Sequence, residues 1–462
     1  MGVLAAFMMP HPPLAVPEVG KGGEAGIPAT MSAFDEIGRR IADLGPEVIV
    51  VISPHAPTYA DYFHISPGGG AAGDFGSFGV PEVKVNVSYD RELAADIGRI
   101  ADECGLAAGT MGASPGGDPL DHGVMVPLWF VNKFYSDYKI VRISVSGLCG
   151  AEHYRLGKCV KAAIVGLGRR AVVIASGDLS HKLKEAGKKG EECRAFDEKI
   201  TRIMKNASFD ELLMMDADER QSAADCGSGA FMILSGVFDK MRIRPEFLSY
   251  EATYGVGYAQ CAYNILSDTG GPDYLELYET RFAQMQAKTR DNESPLVRLA
   301  RSVVESFVKN GRIAPKNDIV EKCNNERAGV FVSIKKMGAL RGCIGTLEPT
   351  TPSVAAEVCQ MAVSACSRDF RFDPVTPEEL PFLTYSVDVL SAPEAVARGE
   401  IREKLDPSVY GVIVAAGDRR GVLLPDLEGI DTADEQLQIA LRKAGITGDA
   451  YTVERFKVTR HT

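Results

Sequence analysis

Residues 48–55 read Val-Ile-Val-Val-Ile-Ser-Pro-His, an unbroken β-branched apolar run that stops at Ser-Pro and is followed at once by a histidine. A run of this length, with no polar residue to face water on either side, is the pattern of a strand buried on both faces of a parallel sheet. Comparable runs lie at Val3 to Met9, Ile140 to Val145 and Ala171 to Ala175. Between them, Met31, Phe34, Ile37, Ile41 and Leu44 repeat at helical spacing, as do Leu93, Ile97, Ile100 and Cys104, the latter stopped by Gly105. Alternating strands and helices predict an α/β sheet domain.

The pattern changes after residue 268. A turn-rich stretch, Ser267-Asp268-Thr269-Gly270-Gly271-Pro272, leads into a polar segment expected to be a helical connector over 269–293. From 294 to 462 a helix carrying Leu296, Leu299, Val303 and Phe307 ends at Gly311 and gives way to period-two strands such as 330–335 and 382–389. A hairpin is expected from Gly411 to Leu424, turning through Gly417 to Gly421, and a helix from about Asp434 to Lys443. The chain therefore reads as an α/β domain over 1–268 and a smaller α+β domain over 294–462.

Composition narrows the function classes. The 462 residues carry 51 Lys plus Arg against 62 Asp plus Glu, a formal charge of −11, with no basic block. Nucleic acid is therefore excluded as a partner. No apolar stretch approaches the roughly 20 residues of a membrane helix, and the N-terminus lacks the basic start of a signal peptide. The ten dispersed cysteines form no C-x-x-C pair and read as reduced thiols, which with the preceding points implies a cytoplasmic protein.

Six of the seven histidines fall in the first 181 residues. His11, His55 and His181 each follow a buried run, which places them at the carboxyl edge of the sheet, where ligands of open α/β sheets bind. Taken singly, each fits a structural histidine; their shared placement points to one site. Two imidazoles and a carboxylate suit a divalent transition metal with open positions. Glu251, set among aromatics and glycines in 250–258, is the candidate carboxylate, with a surface strand residue as the alternative. The glycine-rich stretch 20–25 follows a Pro-rich loop instead of a strand and does not read as a dinucleotide site, and 66–79 reads as a mobile loop.

The stretches MMPHPPL, VISPHAP, LDHGVMVPL, SGDLSHKL and SYEATYGVGYA, in this order over about residues 1–268, resemble the LigB superfamily of class III extradiol ring-cleavage dioxygenases. That resemblance implies a non-haem Fe(II) enzyme opening a catechol-type ring with O₂. His11, His55 and Glu251 would be the metal ligands, His181 the acid/base residue and His122 a second polar residue near the substrates. The same donor set leaves Mn(II) or Zn(II) open. The Memo family shares the fold and related histidines without an accepted dioxygenase role and lacks the Glu ligand, so the presence of Glu251 favours the enzyme. Residues from about 294 onward resemble the AMMECR family through LRGCIGTLEP at 340–349, DFRFDPV at 369–375 and GVLLP at 421–425. There Arg341 and Cys343 are a candidate second site, a thiol beside a cation, although a buried structural cysteine is the preferred reading of Cys343. LigB-like, AMMECR and radical-SAM proteins are associated as the AmmeMemoRadiSam system. The chain resembles a fusion of the first two, which implies a radical-SAM protein as partner; a homo-oligomer is left open.

Overall fold

The computed structural model describes residues 2–112, 118–313, 320, 326–427, 430–448 and 450–462; Cys323 lies outside them. The chain divides into two compact units, 1–281 and 282–462.

In the first unit the buried runs form β1 (Gly2–Met9), β2 (Val48–Ser53), β3 (Lys139–Ser144) and β4 (Arg170–Ser176). They are joined by β5 (Arg242–Glu251) and β6 (Tyr258–Ser267). The sheet order is β3-β2-β4-β1-β6-β5. The first four strands are parallel and β6 and β5 add antiparallel to one edge. The parallel strands are covered on both sides, which is why their sequences are apolar at every position rather than every other one. Helices α1 (Pro28–Leu44), α2 (Arg91–Glu103), α3 (His122–Asn132), α4 (Gly150–Gly166), α5 (Lys188–Asn206) and α6 (Ser228–Val237) complete the framework. The expected stops hold: Gly45 caps α1 in the left-handed region at φ 52°, and Gly105 follows α2 at φ 68°.

Two local expectations change. Residues 66–79 do not form a loop throughout: 70–75 pair with 80–88 as an antiparallel hairpin. The glycines serve close packing there, since a Cβ on Gly73 would lie 2.6 Å from Met125 Sδ and 2.7 Å from the Leu120 carbonyl oxygen. The first unit also extends beyond residue 268. Helix α7 (Tyr274–Arg290) occupies the expected connector, but its opening turns belong to this unit. Tyr274 and Tyr278 are buried, the Tyr274 ring packs edge-on against Phe209 at 5.1 Å, and Arg281 pairs with Asp210 at 2.8 Å.

The second unit is α+β. Helix α8 (Pro295–Asn310) and helix α9 (Val354–Ser367) pack on one face of an antiparallel sheet. Six of its seven strands are β7 (Val330–Lys336), β8 (Ala339–Gly345), β9 (Leu383–Leu390), β10 (Tyr410–Ala416), β11 (Arg419–Leu423) and β12 (Thr452–His461), in the order β8-β7-β9-β12-β10-β11, and the short strand Glu394–Ala395 pairs with β12. The expected hairpin is tighter than its glycines suggest, because Ala416 pairs with Arg419 and only Gly417 and Asp418 turn. The buried Glu357 of α9 anchors the segment after β8. Its carboxylate accepts from the hydroxyls of Thr346, Thr350 and Thr351 and from the backbone N–H groups of Thr350 and Thr351. Burial alone would raise its pKa, but these donors hold it below the usual range.

Two outcomes are expected. A fragment ending at residue 270 loses the Tyr274 and Tyr278 packing and is less stable than one ending at 290 by about 1.5–3 kcal/mol for each large side chain uncovered; equal urea midpoints would show that the boundary is at 268 after all. In the full chain, Glu357→Leu is expected to cost the second unit more than Glu357→Gln. Leucine orphans two backbone N–H groups at about 1–3 kcal/mol each, whereas the amide oxygen can still accept them.

Candidate metal centre

The carboxyl ends of β1, β2 and β4 bring their following residues to one point, as the sheet edge requires. His11 Nε2 lies 3.1 Å from His55 Nε2. His122, the first residue of α3, stacks on His55 at 4.2 Å between ring centroids and meets His11 edge-on at 5.2 Å. Asp121 caps α3 by accepting from the Val124 N–H at 3.2 Å and takes the Ser53 hydroxyl proton at 2.5 Å, tying the His122 helix to the strand that delivers His55. Phe78, from the 70–88 hairpin, packs edge-on to His122 at 5.6 Å.

The tautomer of His11 follows from its neighbours. Ser176 has a single hydroxyl proton, and the Gly123 carbonyl oxygen, which can only accept, lies 2.5 Å from its Oγ. The other contact of that Oγ is His11 Nδ1 at 2.9 Å, so the ring donates there. The Nε2 of neutral His11 therefore carries a lone pair directed at His55. Burial first, and then the neighbouring His55, His122 and His181, hold His11 well below the ordinary imidazole pKa. Burial and His55 bring His122 down to about 4, and burial lowers His55 despite Asp121. With His11 neutral, its 3.9 Å approach to Asp178 Oδ2 is not an ion pair.

The third candidate ligand atom at this point is a thiol. Cys226 Sγ lies 3.5 Å from His11 Nε2, and the donor atoms of His11, His55 and Cys226 are all within 4.8 Å of one another. Cys226 sits in the turn before α6, held against the end of β4 by an approach only glycines permit: a Cβ on Gly177 would fall 2.1 Å from Gly227 Cα. The Asp178 N–H donates to Cys226 Sγ at 3.3 Å, and the Gly227 N–H donates to the Asp178 carbonyl oxygen at 3.0 Å. Burial, then Asp178 and Asp225, push the free thiol well above its ordinary pKa.

Glu251 is a correction. Its carboxylate accepts from the Thr30 N–H at 2.7 Å and the Ala29 N–H at 3.3 Å, at the start of α1. That helix begins Ile27-Pro28 with no side chain capping its free N–H groups, and Glu251 supplies the missing acceptor and the negative charge that a helix N-terminus favours. It does not join the histidines. His181 does come near: its exposed ring places Nε2 4.0 Å from Asp178 Oδ2, so Asp178 stands between His11 and His181. Burial raises the Asp178 carboxyl to about 7. His64 and His153 are buried structural residues, held by the carbonyls of Met111 and Cys149.

Sequence reasoning missed Cys226, Asp178 and Ser176. Cys226 follows no strand, and its only sequence signal is the run of small residues Cys-Gly-Ser-Gly-Ala opening a helix.

Residues 5–260 match the family model described as the catalytic LigB subunit of aromatic ring-opening dioxygenase. The chain belongs to the LigB family. Residues 297–462 match the AMMECR1 family, so the LigB-family chain carries both domains. A protein of Clostridium acetobutylicum is 37% identical over 100% of this chain and 99% of its own length. A Thermotoga maritima protein is 48% identical, covering 37% of this chain and 98% of its own. A solved structure of an uncharacterized Pyrococcus horikoshii protein is 32% identical, covering 36% of this chain and 88% of its own, with a TM-score of 0.33. No helix among the described residues is long and apolar enough to cross a membrane.

In the AMMECR domain, Arg341 and Cys343 have separate roles. The Arg341 guanidinium grips Glu379 through Nε at 2.9 Å and Nη2 at 3.0 Å and also donates to the Asp373 and Pro374 carbonyls. Burial would raise the Glu379 carboxyl, but Arg341, the Thr376 N–H and Lys336 bring it to about 2. Arg341 thus ties β8 to the segment around 373–379. Cys343 Sγ accepts from the Ser333 hydroxyl at 3.2 Å, and its N–H donates to Asp369 at 2.9 Å.

If Ser176 sets the His11 tautomer, Ser176→Ala is expected to weaken metal binding about 10–100-fold, beyond the loss of about 1–3 kcal/mol of stability that the orphaned His11 Nδ1–H brings. Competition against a chromophoric chelator measures the first, and an unaltered affinity would show that Ser176 is dispensable.

Proposed function

We propose that the LigB domain is a Memo-like metal-binding domain whose ion is held by His11, His55 and Cys226. The observation that carries this reading is the exchange of a carboxylate for a thiol: Cys226 lies 3.5 Å from the His11 lone pair while Glu251 is committed to a helix N-terminus. Two neutral imidazoles and a thiol form a softer donor set than two imidazoles and a carboxylate. Such a set suits iron, copper or zinc and disfavours Mn(II). A bound ion supplies the positive charge a buried thiolate needs, and a Lewis-acid or one-electron centre. Around it, Ser176 orients His11, Asp121 holds His122 in place, and the more exposed His181 is set to accept or return a proton at Nε2 for whatever small molecule enters. The radical-SAM partner belongs to the same reading.

The family match favours a second reading, Fe(II)-dependent catechol ring opening with O₂, in which His181 exchanges the substrate proton. The two separate cleanly. On the proposal, Cys226→Ser loses metal by more than the ~10²-fold that outer-shell changes cost, and Co(II)-loaded wild type shows a sulfur-to-metal charge-transfer band that this variant lacks. Glu251→Gln keeps its metal and loses about 0.5–2 kcal/mol of stability as a weakened helix cap. Catechol-dependent O₂ uptake by Fe(II)-loaded wild type that survives in Cys226→Ser and vanishes with the metal in Glu251→Gln would overturn the proposal in favour of the dioxygenase.

A further inference from the structure

On the first unit, built largely by the packing of α2 against α4, a cavity of about 780 Å³ opens beside two free cysteines. Cys104 stands exposed at the C-terminal cap of α2, Cys159 is buried in the middle of α4, and both line the cavity wall. Both thiols line this one cavity, on two helices packed against each other, and Cys104 is near enough to Cys159 to raise its pKa. The metal centre draws on different elements and uses neither residue.

We propose that Cys104 and Cys159 form a reversible dithiol–disulfide site that reacts with anionic low-molecular-weight disulfides entering this cavity. The two thiols are not equivalent. Cys104 is open to solvent and can reach an incoming molecule; Cys159 is enclosed, and burial, with the neighbouring Cys104, pushes its pKa up to about 12. That asymmetry assigns Cys104 as the attacking sulfur and Cys159 as the resolving one, because exchange begins with an accessible thiolate. Arg155 and Lys158 flank Cys159 on the same cavity wall, while Ile100, Leu106 and Val165 give it an apolar floor. Both are paired, Arg155 Nη1 with Glu152 at 3.3 Å and Lys158 Nζ with Asp239 at 3.5 Å; with Lys161 the cavity wall still carries three cations against the one carboxylate, Asp239, that lines it. These cations suit a disulfide that carries carboxylates. Gly105, at φ 68°, gives the chain end bearing Cys104 a turn with no side chain to obstruct its adjustment.

The chemistry balances as two exchanges. Cys104 gives up its proton and its sulfur attacks one sulfur of R–S–S–R, forming a mixed disulfide and releasing one RS⁻, which takes the proton. Cys159 then gives up its proton and attacks the Cys104 sulfur, breaking the S–S bond of the mixed disulfide and releasing the second RS⁻, which takes the proton. Two protein thiols are oxidised by two electrons, and one small disulfide is reduced to two thiols.

The test uses reduced full-length protein, glutathione disulfide as the anionic probe and cystamine as the cationic one, with site-by-site mass-spectrometric mapping of all cysteines. Wild type is expected to yield the Cys104–Cys159 cross-link, reversed by dithiothreitol. Cys159→Ser is expected to trap glutathione on Cys104, and Cys104→Ser to lower modification of Cys159 by about tenfold or more. After each reagent's rate is normalised to its rate with free N-acetylcysteine, glutathione disulfide is expected to react several-fold faster than cystamine, the advantage shrinking at high salt. A stable mixed disulfide on Cys104 in wild type, or modification of Cys159 that persists in Cys104→Ser, would overturn the dithiol assignment. A normalised preference for cystamine would overturn the anionic class. Circular dichroism of both variants separates either result from misfolding.

Discussion

The Ser176 hydroxyl has one proton, and the Gly123 carbonyl takes it; the organisation of the first domain's site follows from that allocation. Since the serine oxygen can then only accept from His11 Nδ1, the imidazole must point an unprotonated Nε2 at the place where His55 and Cys226 meet. Each neighbour is arranged to make this point habitable. Gly123 has no side chain, and a Cβ there would lie 2.4 Å from Ser53 Oγ and 3.5 Å from His11 Nδ1. Gly177 and Gly227 touch backbone to backbone so that the Cys226 turn reaches the strand ends. Burial lowers the pKa of His11, His55 and His122, which favours the neutral imidazoles a metal ion requires.

Much of this could be read from the sequence because strand ends are a topological constraint as well as a local one. A fully apolar run followed by a histidine puts that histidine on the carboxyl edge of a parallel sheet whatever the rest of the chain does. His11, His55 and His181 were found in this way. Cys226 could not be, because its turn reaches the edge through tertiary packing of small residues, and a cysteine before Gly-Ser-Gly has no period to betray it. The misassignment of Glu251 had a visible warning. Helix α1 opens at Ile27-Pro28 without Ser, Thr, Asp or Asn, so its first N–H groups needed an acceptor from elsewhere in the chain, and an acid in a strand near that helix is the natural supplier.

The AMMECR domain shows the same limit from another side. Arg341 and Cys343 alternate along β8, so proximity in sequence suggested a cation tuning a thiol. Guanidinium geometry decides otherwise, for a planar fork with a carboxylate partner in bidentate reach is held by that partner, and Glu379 occupies it. Sequence contains the partners of such a pair but not their pairing, since Glu379 is 38 residues away.

The two cases have a common cause, and it bears on how the chain divides its labour. In both domains a carboxylate that looked available for chemistry, or a cation that looked available to tune it, is consumed by unsatisfied backbone or by an opposite charge. Buried polar groups must be paired before any can be spared. What this pairing turns toward one point is the better guide to function: in the first domain, His11 Nε2 facing His55, and the thiol of Cys226 beside it, a cluster whose donors are softer than the LigB name alone implies. A centre of that kind selects its metal through sulfur. The family resemblance therefore describes the scaffold and the histidines, while on the proposed reading Cys226 would determine which ion the scaffold keeps.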